Sequence, residues 1–401
     1  MKPYDVIVIG ARCAGSPAAM CLARKGYRVL VVDKAKFPSD MLSTHIIHPL
    51  GSAALAKWGL LDRVVATGCP PIESYSFDFG PITIEGSPRT AELPSAYCPR
   101  RTLLDKILVD AAAASGAEVR EEFTVDDILI EEGRVVGIQG RSRGGSSVTE
   151  RAQVVIGADG RHSLLVRAVQ PEEYHVRPPA QGGYYTYFSN LPVEGRFEIY
   201  SRPHRGFAAA PTNDGLTMVV AGWAIADHEQ NKKDYEGSYM KTLEMVPSFA
   251  DRLRSAKRED KLYGAVTPNY FRKPYGPGWA LIGDAGYQKD PITAQGITDA
   301  FRDAEKCAEA LDLALSGARS FDDAMSEYQR ARDEQVLPMY EFTYGIATLE
   351  PPPPETQQLF AAIAGNQSAM DGFAQVNAGT LSPAKFFAPE NVGAIFAARS
   401  Q

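Results

Sequence analysis

The first 35 residues have the hydrophobic pattern of a strand, a tight turn, a helix and a second strand. Residues 4–10 (YDVIVIG) and 27–33 (YRVLVVD) are nearly continuous runs of β-branched residues and leucine, typical of parallel strands buried on both faces. Between them we predict a helix over residues 14–25, because Pro17 is tolerated in a first turn and Gly26 can end a helix. The pattern therefore predicts a βαβ unit.

The turn between the first strand and the helix reads Gly10-x-Arg12-x-x-Gly15, and the dinucleotide fingerprint has a glycine in place of Arg12. One interpretation is a bare glycine turn that binds no nucleotide. The other places a diphosphate on the helix N-terminus with Arg12 beside it, adding charge to the helix dipole. Asp33 favours the second interpretation, because an acid at the end of the second strand suits ribose hydroxyls. It also repels a 2′-phosphate, which favours FAD or NAD over NADP at this place.

Two later segments also end a short apolar strand in a polar turn. In VVIGADGRHS the strand ends at Asp159 and Gly160, and in WALIGDA it ends at Gly283 and Asp284. A helix then starts near Gly296, where free N–H groups can stabilise an electron-rich ring oxygen or a phosphate. Each aspartate alone is typical of an ordinary loop acid, so only the ordered set indicates a cofactor site.

This ordered set resembles the FAD-dependent class A monooxygenase superfamily, with the para-hydroxybenzoate hydroxylase-like fold, which also contains geranylgeranyl reductases and flavin-dependent halogenases. The resemblance spans residues 4–335 and implies that the glycine fingerprint binds the ADP part of FAD. It also implies that the Asp-Gly motif lies near the diphosphate, that the Gly-Asp motif binds the ribityl chain, and that Arg100 or Arg101 is the family's basic residue before a long helix. Tyr287 stands where many relatives have histidine. The predicted cofactor-binding residues are Gly10, Arg12, Ala14, Gly15, Asp33, Lys34, Arg101, Asp159, Gly160, Gly283, Asp284, Gly296 and Ile297.

The expected fold is α/β, with a Rossmann-like FAD-binding domain built on a parallel sheet, an interleaved antiparallel β-sheet substrate domain, and C-terminal helices. The FAD-binding domain is expected to be discontinuous, because its motifs are widely separated. We assign to it residues 1–74, 99–175 and 265–340. The substrate sheet is assigned residues 75–98 and 176–264, and the C-terminal helical segment residues 341–401.

Aromatic residues alternate along the segments assigned to the substrate sheet, as in GGYYTYFSNL and LTMVVAGWAI. Alternation indicates strands with one face towards a core or a pocket. For a single aromatic side chain, packing within the sheet is the ordinary interpretation. As a group they suit an apolar substrate above the flavin ring. The predicted substrate-binding residues are Tyr185, Tyr187, Phe207 and Trp223.

His45 and His48 lie in an arm that follows the first βαβ unit, and in relatives this arm runs beside the flavin. They are three residues apart, but no third ligand accompanies them, so we predict no metal site. We predict that they act in catalysis by hydrogen bonding to substrate or flavin. The alternative is a structural role for both rings.

Composition limits the partners and the compartment. The net charge of -7 offers no general attraction for nucleic acid or anionic membranes. Five scattered cysteines without a C-x-x-C pair favour a reducing compartment, so we expect a cytoplasmic protein. The N-terminal apolar run is too short for a signal peptide or a membrane span, and no stable membrane insertion is expected. The C-terminal helices are expected either to cap the active site or to form a homodimer contact.

The leading functional hypothesis is a monooxygenase that hydroxylates an aromatic or polyketide-like molecule through a flavin hydroperoxide, using O₂ and NAD(P)H. One alternative is reduction of carbon–carbon double bonds, as in geranylgeranyl reductases. Another is a non-catalytic flavin-binding sensor. Halogenation is less favoured, because the signature W-x-W-x-I-P is absent. Only one dinucleotide fingerprint is present, so NAD(P)H is expected to bind transiently, or a separate flavin reductase supplies the electrons.

Overall fold

The computed structural model describes residues 3–399, and within that range the predicted βαβ unit forms the centre of an eight-stranded sheet. Five neighbouring strands run parallel, and a hairpin extends the long strand Val148–Gly157. In spatial order the sheet contains Tyr275–Gly276, Trp279–Leu281, Val148–Gly157, Tyr4–Ile9, Val29–Val32 and Glu118–Arg120, with the hairpin Phe123–Glu131 and Arg134–Ser142 beside Val148–Gly157.

The first strand of this sheet is buried on both faces, as its sequence predicts. Val6 and Val8 pack into the helical layer, whereas Ile7 and Ile9 pack into a core shared with the hairpin. Since side chains alternate along a strand, a strand with both faces covered is apolar at nearly every position, and Asp5 is the one charged residue in this strand. The helices of the helical layer are Gly15–Arg24, Pro49–Trp58, Leu61–Val65, Arg101–Ala114 and Gly296–Leu315.

The second large sheet is mainly antiparallel. Its one parallel pair among the described residues joins Ser74–Asp78 to Arg196–Arg202, with Tyr75 opposite Phe197. Residues 75–84, at the start of the range 75–98 assigned to the substrate sheet, therefore do pair within this sheet. In spatial order the sheet contains Lys257–Arg258, Gln181–Ser189, Thr217–Ala224, Arg205–Pro211, Arg196–Arg202, Ser74–Asp78 and Thr83–Gly86, and Tyr263–Val266 also pairs with Gln181–Ser189.

The two faces of the second sheet have different coverings. One face packs on the helices Tyr235–Leu243 and Pro247–Leu253, through side chains such as Trp223 and Tyr239. The other face meets the C-terminal helices, where Phe77 lies 5.0 Å from Phe373 between ring centroids. The C-terminal helices are Phe321–Ala347, Pro354–Ile363, Gln367–Ala378, Pro383–Phe386 and Pro389–Arg399.

Shorter elements connect these layers. A three-stranded sheet is formed by Glu173–Arg177, Asn269–Arg272 and Tyr287–Gln288, and a two-stranded one by Pro71–Ile72 and Ala96–Tyr97. The remaining helical elements are Leu164–Val169, Ile225–Asn231 and the 3₁₀ turns Asn213–Gly215, Lys232–Asp234, Gly283–Ala285 and Pro291–Thr293. The α/β fold class is confirmed, and the domain boundaries stay a prediction. Within the described range no helix is both long and apolar enough to cross a membrane.

Candidate active site

A cavity of about 1020 Å³ runs from the turn of the βαβ unit, between the two large sheets, to the C-terminal helices. It brings together every residue predicted to bind the cofactor except Gly15. These cavity-lining residues are Gly10, Arg12, Ala14, Asp33, Lys34, Arg101, Asp159, Gly160, Gly283, Asp284, Gly296 and Ile297. They meet because the parallel strands of the first sheet end at the same edge, where ligands of such sheets bind.

The two glycines of the turn make room for close backbone packing. A Cβ atom on Gly10 would lie 2.5 Å from the carbonyl oxygen of Ala158, and the φ angle of Gly10 is +100°. A Cβ atom on Gly15 would lie 1.8 Å from the carbonyl oxygen of Gly10. Gly15 therefore lets the helix approach the strand from beneath the turn, which explains why it does not reach the cavity.

Asp33 is held rigidly at the end of its strand. Its two carboxylate oxygens accept hydrogen bonds from the backbone N–H groups of Ala11 and Ala35, each at 2.8 Å. A carboxylate can accept about four hydrogen bonds, so lone pairs remain for a ligand in the cavity. The geometry suits ribose hydroxyls, which are donors.

The N-terminus of the helix Gly15–Arg24 carries no side-chain cap, because the residue at the N-cap position is Ala14. The positive end of the helix dipole is therefore available to an anion in the cavity that Ala14 lines. This is the arrangement expected for a diphosphate.

Arg12, the departure from the glycine fingerprint, belongs to a buried ion-pair cluster that the sequence did not reveal. Asp105 is fully buried and accepts hydrogen bonds from Arg12 Nη1 at 2.5 Å and Arg101 Nε at 3.0 Å. Burial disfavours the charged form of Arg101, but the attraction of Asp105 outweighs this effect and raises the pKa of Arg101. Two guanidinium groups share one carboxylate, which leaves one positive charge beside the expected diphosphate. Asp105 follows Arg101 by four residues, and this spacing in the sequence could have predicted that the two side chains pair on one helix face.

The acids of the two later motifs, Asp159 and Asp284, have hydrogen-bonding capacity left for a ligand. Asp284 is accessible from inside the cavity yet enclosed by protein, and this desolvation raises its pKa to about 6, although Arg101 opposes the shift. Asp159 accepts the N–H of Leu164 at 2.8 Å, while its Oδ1 is buried without a partner among the described residues. Burial raises the pKa of Asp159 as well. Both carboxyl groups would be stabilised by donors on a hydroxyl-rich ligand.

The long helix Gly296–Leu315 also begins at the cavity without a side-chain cap. Gly296 is exposed there, and Ile297 lines the wall beside it. Asp299 in the first turn is paired with Lys289 and Arg302, so its negative charge is compensated. The helix N-terminus can therefore stabilise an electron-rich ring edge.

These features fit FAD. An uncapped helix with a net positive cluster suits the diphosphate, and the fixed Asp33 suits the ribose. Asp284 accepts a hydrogen bond from Gln288 Nε2 at 3.4 Å and has acceptor capacity left for a polyhydroxyl chain. When bound, FAD would supply two-electron redox chemistry and reaction with O₂. Each individual residue contact with FAD stays a prediction.

The two histidines do not line the cavity. His45 bonds to the carbonyl oxygen of Ser43 and to the hydroxyl of Tyr187, each at 2.7 Å. His48 bonds to the hydroxyl of Tyr75 at 2.7 Å and to the carbonyl oxygen of Thr293 at 2.9 Å.

Both rings are buried, and this burial lowers the pKa of each to about 4. With both nitrogens engaged, neither His45 nor His48 can hydrogen-bond to a ligand without losing a partner. The expectation of direct catalytic contact is therefore corrected. His48 instead positions the turn Pro291–Thr293, which lines the cavity.

The four predicted substrate-binding aromatics lie on two faces of the second sheet. Tyr185 lines the cavity. Tyr187 lies on the same face of the sheet but does not line the cavity, and its hydroxyl is bonded to His45 instead of being free for a substrate. Phe207 and Trp223 pack in the core on the opposite face, although part of Phe207 borders the cavity. Trp223 does not reach it and donates a hydrogen bond to Thr242 at 2.9 Å. The expected substrate contact of Trp223 is corrected, because its strand position points it towards the helices.

The far end of the cavity is an apolar chamber, which we define by its aromatic and aliphatic side chains. One wall comes from the second sheet and the other from the C-terminal segment. The chamber residues are Phe77, Phe79, Phe197, Ile199, Met218, Val220, Phe342, Phe360, Phe373 and Phe387. The C-terminal helices thus cap this end of the cavity, and a homodimer contact stays a prediction. In the sequence, the apolar residues of this segment indicated such packing; they belong to two helices, with Phe360 on Pro354–Ile363 and Phe373 on Gln367–Ala378.

The fold and the site together define a flavin-dependent oxidoreductase. The model of an FAD binding domain family matches residues 3–343, and the chain belongs to this family. The predicted membership of the class A flavoprotein superfamily is confirmed.

Among characterised relatives, the chain is 28% identical over 339 residues to a digeranylgeranylglycerophospholipid reductase of Methanocella arvoryzae, covering 81% of this chain and 83% of the relative. It is 24% identical to a tryptophan 2-halogenase of Chondromyces crocatus, covering 83% of this chain and 65% of that protein.

Solved structures share the fold. A flavin-dependent brominase superposes with a TM-score of 0.82 at 18% identity, covering 100% of this chain and 98% of that one. A probable FAD-dependent monooxygenase from Pseudomonas aeruginosa superposes with a TM-score of 0.71 at 20% identity, covering 94% and 99%. Relatives of this fold therefore differ in the reaction they catalyse.

Proposed function

We propose that this protein is an FAD-dependent monooxygenase that hydroxylates an aromatic or polyketide-like small molecule. The observation that carries the proposal is the cavity itself. Its polar end has the groups that suit FAD, and it continues into an apolar chamber closed by the C-terminal helices. A chamber of this kind holds an apolar substrate and excludes water, which oxygen insertion requires.

The chain's own residues orient the reactants. Phe79 stacks on Phe360 with centroids 4.5 Å apart, so the sheet and the C-terminal segment form a continuous apolar wall. Tyr185 is stacked on Tyr263, and both rings line the cavity. A flat substrate can lie against these ring faces.

The electron source is proposed to be NAD(P)H bound transiently or a separate flavin reductase. Mixing the FAD-loaded protein anaerobically with NADH or NADPH separates the two. Rapid bleaching of the flavin absorption supports direct binding, and bleaching only after a reductase is added supports the partner.

Oxygen-18 labelling tests the reaction class. The FAD-loaded protein, a reductant and a panel of phenols and polycyclic aromatics are incubated under ¹⁸O₂, and products are examined by mass spectrometry. We expect one ¹⁸O atom per hydroxylated product, with substrate-dependent O₂ uptake. Product whose new oxygen comes from water would contradict oxygenation.

Reduction of a carbon–carbon double bond is the second candidate. The identity to an archaeal reductase over 81% of the chain favours it, and the apolar chamber would accommodate a prenyl chain. Anaerobic turnover of an isoprenoid alkene with dithionite-reduced protein would support this candidate. Halogenation has less support because the W-x-W-x-I-P signature is absent.

A further inference from the structure

Asp290 is a buried carboxyl group at the junction between the flavin-binding end of the cavity and the second sheet. It caps the turn Pro291–Thr293, which leads to the helix Gly296–Leu315, and it lines the cavity with 1% of its surface exposed. None of the motifs in the sequence includes it.

Neutral groups hold the backbone and one oxygen of Asp290. Its Oδ1 accepts Gln181 Nε2 at 2.6 Å and the N–H of Ile292 at 3.0 Å. Its own N–H donates to Asn269 Oδ1 at 2.7 Å. The contacts come from three separate elements, so the side chain has a fixed position.

The other oxygen, Oδ2, is buried without a hydrogen-bond partner among the described residues. A buried, unpartnered carboxylate oxygen is costly, and protonation removes that cost by neutralising the group. Burial accordingly raises the pKa of Asp290 to about 7, although Gln181 opposes the shift.

The charged residues nearest to Asp290 in the sequence form ion pairs with other residues. Lys289 pairs with Asp299, and Asp299 also accepts Arg302 from the helix Gly296–Leu315. The partners that face Asp290 from Gln181–Ser189 and from Asn269–Arg272 are the uncharged amides of Gln181 and Asn269. A new negative charge in the cavity would therefore act on Asp290 with little compensation from these neighbours.

We propose that Asp290 takes up one proton, in addition to the proton that flavin reduction itself consumes, when bound FAD is reduced by two electrons. This inference rests on the proposed FAD-dependent function, but it holds for both candidate reactions. Asp290 releases its proton when the flavin is reoxidised, so hydroxylation still converts substrate, O₂, NAD(P)H and one proton into hydroxylated product, water and NAD(P)⁺. Double-bond reduction likewise consumes one NAD(P)H and one proton.

The proton enters on Oδ2. In the oxidised state at pH 8 the carboxylate is ionised. Two electrons from the reductant bring more negative charge into the cavity than the one proton consumed by flavin reduction neutralises. A second solvent proton then forms an O–H bond on Asp290, which leaves the carboxyl neutral. No other bond on the protein forms or breaks in this step.

A redox titration of the FAD-loaded protein between pH 6 and pH 9 tests the proposal, with dithionite as reductant and no substrate. For the wild type, we expect the midpoint potential to fall more steeply with pH above pH 7 than for Asp290→Asn. One extra proton per two electrons is a tenfold change in the equilibrium per pH unit, or about 30 mV. Asparagine keeps the Oδ1 acceptor and cannot titrate.

Two further variants keep the test decisive. Asp234→Asn is the matched control, because Asp234 also caps a helix through its carboxylate but is exposed. It should follow the wild type. Gln181→Leu removes the donor that lowers the pKa of Asp290, so the steep region should begin at a higher pH. Equal slopes for the wild type and Asp290→Asn would overturn the proposal.

Stability of the FAD-free protein gives a second readout if Asp290→Asn binds FAD poorly. When folding raises the pKa of a carboxyl group, the folded protein loses stability as pH rises towards that raised pKa. Between pH 5 and pH 8, the urea midpoint of the wild type should therefore fall relative to that of Asp290→Asn. An unchanged difference would overturn the proposal, whereas the reaction class is decided separately by the ¹⁸O₂ experiment.

Discussion

Asp105 is expected to determine both the stability of the protein and its response to FAD. It is fully buried and pairs with both Arg12 and Arg101, whose side chains are 14% and 7% exposed. Replacing it with asparagine keeps the shape but leaves two guanidinium groups without a buried counterion. Removing one partner of a buried ion pair costs about 3–5 kcal/mol, so we expect Asp105→Asn to lose about that much.

Urea denaturation of the FAD-free protein measures this loss. The matched control is Asp110→Asn on the same helix, because Asp110 pairs with Lys106 at 2.5 Å but both side chains are exposed. Exposed pairs contribute about 0–1 kcal/mol, so the control should be nearly neutral. A loss below about 1 kcal/mol for Asp105→Asn, equal to the control, would refute the reasoning.

FAD should partly rescue the Asp105 variant. Its diphosphate would supply negative charge beside Arg12 and Arg101, which the variant needs more than the wild type does. The rise in melting temperature on adding FAD should therefore be larger for Asp105→Asn. An equal or smaller rise would place the diphosphate away from this cluster.

Three further outcomes are expected. Gly10→Ala should cost about 1–3 kcal/mol and weaken FAD binding in a fluorescence titration, because the new Cβ would lie 2.5 Å from the oxygen of Ala158; unchanged binding would contradict the packing. His48→Asn removes an imidazole ring whose pKa is lowered to about 4 by burial. Since an unfolded histidine titrates near 6.5, the stability advantage of the wild type over this variant should shrink as pH falls from about 6.5 to 4, and a constant advantage would contradict a neutral buried ring. Phe373→Ala should cost about 3 kcal/mol of stability, measured by urea denaturation. It should also weaken the binding of apolar probes, measured by flavin absorbance, and unchanged probe binding would exclude Phe373 from the chamber wall.

The nucleotide-binding half of the site could be predicted from the sequence because its signals are local. Strand periodicity, the turn glycines and Asp33 all lie within the first 35 residues. The later motifs could be added because each ends a strand, and parallel strands end at a common edge. Their meeting at one cavity follows from that topology.

The substrate half depended on information that is not local. Alternation shows that Tyr185 and Tyr187 share a face, but whether Trp223 joins them depends on the register between Gln181–Ser189 and Thr217–Ala224. Burial of His45 and His48 likewise depends on partners far along the chain, such as Tyr187 and Thr293. The sequence pattern alone could not distinguish a ligand-binding histidine from one whose nitrogens are already bonded.

We propose that one cavity holds FAD at its polar end and an apolar substrate in the chamber. Titration of the FAD-loaded protein with 1-naphthol, followed by flavin absorbance, tests it most directly. Val220→Phe fills the chamber, and Val148→Phe is the control on an exposed strand end outside the cavity. We predict that the flavin absorbance of the wild type and of Val148→Phe changes until one 1-naphthol is bound per FAD. In Val220→Phe the change should be much weaker. No flavin perturbation in the wild type, or equal binding by Val220→Phe, would contradict the account.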